Sequence, residues 1–180
     1  MNKTDVKKLV LTGLLLGLAI AAQQLRFLHP QFITGPLINA VLIAAALWGG
    51  LKSGLTIAII SPLLAILTAP NPYIAGFLYL IPMIALANAA LVLCAYAFRN
   101  RNLATFGVGL VIGSALKAAI LWVGVIYFLV PFFGYRLPEM LRYVVLPGMF
   151  SWSQLFTALT GSIIILLIRP RIDKAIERGD

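Results

Sequence analysis

Lys117 is the residue whose placement most strongly implies chemistry. It stands about 12 residues inside an apolar stretch that begins near residue 105, so its ammonium is about 18 Å deep in a helix rising 1.5 Å per residue. A cation at that depth in hydrocarbon costs at least about 2.5–3.5 kcal/mol. No Asp or Glu falls in any apolar stretch of the chain to neutralise it. Gly109, Gly113, Lys117 and Gly124 recur at spacings of four, four and seven, and therefore share one helical face. Small residues let a neighbouring helix approach, so this face is expected to look into a bundle. An inward ammonium without a carboxylate implies an anionic or strongly hydrogen-bonding ligand. The competing reading is structural: the ammonium snorkels, or carbonyl groups freed near Pro62 or Pro82 satisfy it.

Other polar side chains can be ordered by depth. Gln23 and Gln24 fall in the outer third of the first apolar stretch, Asn39 in the first outer turn of the second, and Trp152 and Gln154 in the outer turns of the last. Asn88 is placed deeper, in the inner half of the fourth. Singly, each is the kind of group that forms an interhelical hydrogen bond. Together they trace a funnel toward Lys117, the pattern of a mostly apolar pocket with a few orienting polar groups. Tyr79, Trp122 and Tyr127 read as an interfacial aromatic belt, whereas Trp152 is kept with the site because Ser151 and Gln154 accompany it. His29, the one histidine, reads as a loop residue with no metal site or triad to join.

Catalytic and metal-binding constellations are missing. There is no phosphate-binding Gly-x-x-x-x-Gly-Lys-Ser/Thr loop, no pair of carboxylates in a span, no His-Glu-x-x-His, no Gly-x-Ser-x-Gly and no cluster of His or Cys. No catalytic residue, metal or cofactor is therefore expected, and any ATP hydrolysis would reside on partner subunits. Cys94, the one cysteine, sits inside an apolar run and can form no intrachain disulfide.

The elements that position these residues follow from composition. Of 180 residues 62% are apolar and 11% charged, with a mean hydropathy of +1.02; soluble domains carry about 25% charged residues. Apolar runs bounded by charges, Pro and Gly predict six membrane helices, roughly 9–28, 35–51, 53–69, 73–98, 105–130 and 148–168, as a single domain spanning 1–180. The fold class is all-α, because hydrocarbon leaves no partner for unpaired backbone and the runs lack the alternation of a membrane barrel. Ten of the 14 Lys and Arg residues fall on one side of such a bundle and Arg26, Arg136 and Arg142 on the other, which puts both termini in the cytoplasm. This placement makes the net charge of +9 a matter of topology and membrane lipids rather than of a nucleic-acid partner.

Two outer connections are distinctive, 26–34 and 131–147; the second, about 17 residues long, reads either as a lid or pocket wall or as an interfacial segment anchored by Phe132, Phe133, Tyr135 and Tyr143. On the first helix Gly13, Gly17 and Ala21 repeat every four residues, a groove for another helix. Periodicity alone leaves open whether a partner protein or a helix of the same bundle fills it. The first helix is expected to be retained rather than cleaved as a signal, since those glycines would be wasted in a discarded peptide. Two functions stand: a solute-binding transport subunit with an outward pocket, or a structural or assembly subunit of a larger membrane complex, which predicts a bundle packed shut.

The strings LTGLLLGLAIAAQQLR, ITGPLINAVLIAAALWGG, ISPLLAILTAP, IPMIALANAALVL and SWSQLFTALTG give the whole chain a resemblance to another group of proteins. It resembles the substrate-binding S component of energy-coupling factor transporters. The resemblance implies a bacterial cell-membrane subunit that captures a vitamin or vitamin precursor outside the cell, gated by outer loops. It also implies partners, a transmembrane coupling protein and two cytoplasmic ATPases, and a toppling motion that releases cargo inward. That family's first helix carries Ala-xxx-Ala for docking; here Gly13, Gly17 and Ala21 stand in its place.

Overall fold

A computed structural model describes residues 3–25, 31–68 and 77–179. His29, Arg26 and most of the first outer connection lie outside the described residues, as do the predicted ends of the first and third spans. Among the described residues every regular element is helical. Helix α1 is Lys3–Gln24, α2 Thr34–Ala44, α3 Leu51–Thr68, α4 Leu80–Phe98, α5 Leu103–Leu121, α6 Leu146–Phe150 and α7 Trp152–Gly179. Wider π turns extend α2 through Ala45–Gly49 and α5 through Trp122–Leu129, and another, Leu141–Val145, leads into α6.

Local chemistry sets the boundaries. Gly50, at φ +88° and ψ 178°, adopts a positive-φ extended conformation open essentially to glycine alone, and so turns the chain directly from α2 into α3. Asn102 caps α5 by accepting a hydrogen bond from the Thr105 backbone N–H at 2.8 Å. The α6–α7 junction breaks at Ser151, whose φ/ψ of −100°/−131° is far from helical.

Leu80–Phe98, Leu103–Arg136 and Leu141–Arg178 are each long and apolar enough to cross a membrane, and Thr34–Gly49 and Leu51–Leu67 are shorter apolar helices. The segment 131–147, read from sequence as a loop, is helical over most of its length. Its prolines do not stop the helices: Pro131 lies inside the continuous helix Leu103–Arg136 and Pro147 inside Leu141–Arg178, each just past a π turn.

Helix α5 lies against α4 and α7, α2 against α7, and α3 between α1 and α4. The glycine face of α5 does turn inward. A Cβ at Gly113 would stand 2.9 Å from Cys94 Cβ, and Cβ atoms at Gly109 and Gly124 would collide with Phe98 and Met83, all on α4. The start of α1 and the end of α7 lie at one end of the bundle. Trp48 Nε1 donates to Asp173 Oδ1 at 2.9 Å and Arg169 donates to the Arg99 carbonyl at 2.7 Å, while Leu11 flanks Gly49. This basic end collects Lys7, Lys8, Lys52, Arg99, Arg101 and the cations of late α7; Arg136 and Arg142 mark the opposite end.

Two apolar clusters form the interior. One fills the basic half with small and branched side chains of α2, α3, α4 and α7 around Phe106 and Leu110. The other, at the opposite end, joins Phe77, Leu121, Val125, Leu146 and Phe150. Lys117 lies on α5 between them.

Candidate functional site

Lys117 is 5% exposed, and its ammonium donates to Asn39 Oδ1 at 2.5 Å and to Asn88 Oδ1 at 2.6 Å. Three helices therefore converge on one nitrogen: α2 brings Asn39, α4 Asn88 and α5 Lys117. Gly161 on α7 makes room for this, since a Cβ there would come within 2.7 Å of both Asn39 Cβ and the Pro36 carbonyl oxygen. One turn toward the basic end, the hydroxyls of Ser114 and Ser162 meet at 3.3 Å and tie α5 to α7.

The sequence reading put Asn39 and Asn88 at different depths of a funnel; they stand level, on either side of the same ammonium. Neither competing account of Lys117 describes this arrangement. The amine does not snorkel, and its partners are side-chain amides rather than main-chain carbonyls near Pro62 or Pro82. An ammonium carries three donors, and two are taken.

Lys117, Asn39 and Asn88 close one end of a cavity of about 410 Å³. Gln23 and Gln154 also line it, so five of the seven proposed ligand-binding residues share one hollow. Gln23 Nε2 donates to the Ser61 carbonyl at 3.0 Å, fixing α1 to α3 at the cavity wall. Gln24, one helical step of about 100° further round α1, is exposed and outside the cavity. Trp152 is also outside; 67% exposed, its ring stands 6.0 Å from that of Phe32, and Phe32 rather than Trp152 forms the wall.

Gln31 was missed by sequence reasoning. It precedes α2 in a turn and lines the end of the cavity opposite Lys117. Its Nε2 donates to the Met149 carbonyl at 2.5 Å and to Ser153 Oγ at 3.2 Å, while Gln154 Nε2 reaches the same carbonyl at 2.8 Å. The break at Ser151 leaves this carbonyl at a helix end, where side-chain donors replace the backbone N–H it lacks. The available sequence signal was the pairing of a lone Gln before a helix start with the Ser-Trp-Ser-Gln run of α7.

Apolar side chains form the rest of the wall, including Ile38, Ile81, Ile84, Leu121 and Val145. No acidic residue lines it among the described residues, and no group of three His, Cys, Asp or Glu there could hold a metal ion. The stripe on α1 lies elsewhere. A Cβ at Gly13 or Gly17 would have no neighbour within 4 Å, and Ala21 is exposed.

An apolar helical bundle enclosing a hollow with a few convergent polar groups defines a solute-binding membrane protein. The chain matches the family model described as ECF transporter, substrate-specific component, over residues 7–172, and belongs to that family. It is thus a substrate-specific transport subunit that works with an ECF transporter module. Comparison with curated proteins and with solved structures returned no match.

Proposed function

We propose that this subunit captures a vitamin or vitamin precursor bearing an anionic group from outside a bacterial cell, for import by a transmembrane coupling protein and two cytoplasmic ATPases. One observation carries the reading: an ammonium with amide partners and no carboxylate closes the end of a cavity of about 410 Å³. Amide oxygens hold the ammonium in place without cancelling its charge, so the cavity keeps a positive end for an anion. Lys117, Asn39, Asn88, Gln23 and Gln154 are the proposed binding residues. Gln24 and Trp152 are dropped from that set because they stand outside the cavity.

Six spans with both termini in the cytoplasm fit the gathering of cations at the end that holds the start of α1 and the end of α7. The cavity then occupies the outer half, with Gln31 and the segment leading into α6 nearest the outside. Gly13, Gly17 and Ala21 form the proposed docking face for the coupling protein, supported by their open surroundings. An assembly subunit without a ligand would be packed shut at this place, and the hollow disfavours that alternative.

The test is ligand-dependent thermal stabilisation of the purified protein. Small carboxylated or phosphorylated vitamins should raise Tm, and Lys117→Ala should abolish the rise; unchanged affinity in that variant would reject the role of Lys117.

A further inference from the structure

The two ends of the cavity differ in hydrogen-bonding sense. Lys117 has only donors, so Asn39 and Asn88 must turn their oxygens to it, and their NH₂ groups are left as donors beside the third ammonium proton. At the other end the logic reverses. The Met149 carbonyl can only accept, which fixes the NH₂ groups of Gln31 and Gln154 on it and leaves both Oε1 atoms as acceptors. Neither Oε1 has a partner among the described residues, and both side chains line the cavity.

The separation of the ends follows from α7. Asn39 stands level with Gly161, and Gln154 is seven residues earlier on the same helix, about 10 Å away at 1.5 Å per residue. Between them the wall is aliphatic, with Ile38, Ile84 and Leu121 among its members.

We infer that the ligand is two-ended: an acceptor-only anionic group such as a carboxylate lies at Lys117, and a neutral N–H or O–H donor about 10 Å away lies on Gln31 and Gln154, joined by an apolar body. The donor is neutral because no acidic side chain lines the cavity among the described residues to compensate a cation. Gln31 and Gln154 thereby become specificity residues, since a ligand without the far donor that fills this end of the cavity displaces water from two amide oxygens and gives them no partner in return. This inference rests on the anion reading above and adds the second end.

Full-length protein in detergent would be titrated by thermal shift and calorimetry with three probe classes. Biotin and pantothenate carry a carboxylate and a distant ureido N–H or hydroxyl. Octanoate and 5-phenylpentanoate keep the carboxylate and lack the donor; biotin methyl ester and panthenol keep the donor and lack the anion. At least one two-ended acid should bind 10-fold or more tighter than both donorless acids and than its uncharged derivative. The double variant Gln31→Leu, Gln154→Leu should erase the first advantage and keep the second, whereas Lys117→Met should erase the second. If the double variant does not fold, the wild-type comparison alone decides. Equal binding of donorless and two-ended acids, with Lys117 dependence intact, would overturn the two-ended ligand and leave anion capture standing. Equal binding of acids and uncharged derivatives, or binding of none of the six probes, would overturn both.

Discussion

The two halves of this bundle solve the same packing problem in opposite ways. In the basic half, helices approach through glycines and alanines until little space remains: Gly54 lies against Val92 and Ala46, and Gly109 against Phe98. Arg169 bridges Asp173 and the Arg99 carbonyl there while its guanidinium lies 4.4 Å over the Phe106 ring, with Nη1 left buried without a hydrogen-bond partner among the described residues. In the opposite half, amide-bearing side chains stand around a hollow. On the proposed function, the closed half serves as a frame and the open half gives up close packing for a polar cavity.

The sharpest way to break this comparison is to make the open half resemble the closed one. Replacing Lys117→Met, Asn39→Leu and Asn88→Leu together removes a buried polar cluster and leaves no orphaned partner. Exchanges of this kind are neutral or stabilising by about 1–4 kcal/mol. The ligand-free Tm should therefore hold or rise, while ligand-induced stabilisation disappears. A triple variant that unfolds would mean that the cluster holds the fold rather than the ligand.

A wedge at the boundary should damage both properties. Gly161→Val drives a side chain into Asn39 and the Pro36 carbonyl, which should lower stability by about 1–3 kcal/mol and weaken ligand binding by moving one of the two amides on Lys117. Gly107→Val is the control, since its nearest neighbour atom lies 3.6 Å away on Leu166; chemical denaturation should find it the milder of the two. In the closed half, Arg169→Met removes the Asp173 pair and the bond to the Arg99 carbonyl. A loss of about 1–2 kcal/mol is expected, with ligand affinity unchanged because neither Arg169 nor its neighbours Asp173, Arg99 and Phe106 line the cavity. Calorimetric titration of the variant checks that independence, and a large affinity change would end the division into frame and site.

How far the sequence could disclose this arrangement depends on the range of the interaction. Helices follow from apolar runs, and the inward turn of Gly109, Gly113 and Lys117 follows from their period, because both are set within a single segment. That Asn39 and Asn88 meet at Lys117 is not written in any one segment. It depends on how far α2 and α4 slide past α5, which close contacts such as Gly161 against Asn39 decide. Gln31 escaped notice because its role comes from a carbonyl 118 residues away. Trp152 falls outside the cavity for the converse reason: its neighbour Ser153 is buried, and one step of about 100° carries the indole to the outside.

The first helix permits the subtlest test, because its stripe belongs to neither half's interior. Nothing approaches Gly13 or Gly17, so a larger side chain there has no internal neighbour to strike. Alanine in place of glycine within a helix stabilises by about 0.5–1 kcal/mol, so Gly13→Ala and Gly17→Ala should raise Tm slightly. If the stripe is the docking groove for the coupling protein, Gly17→Leu should leave folding and ligand binding as they are and reduce co-purification with the transporter module, because a branched side chain keeps the facing helix at a distance. Normal assembly of Gly17→Leu would place docking on another face of the bundle. Loss of ligand binding in the same variant would show instead that α1 is coupled to the cavity through Gln23 and its bond to the Ser61 carbonyl.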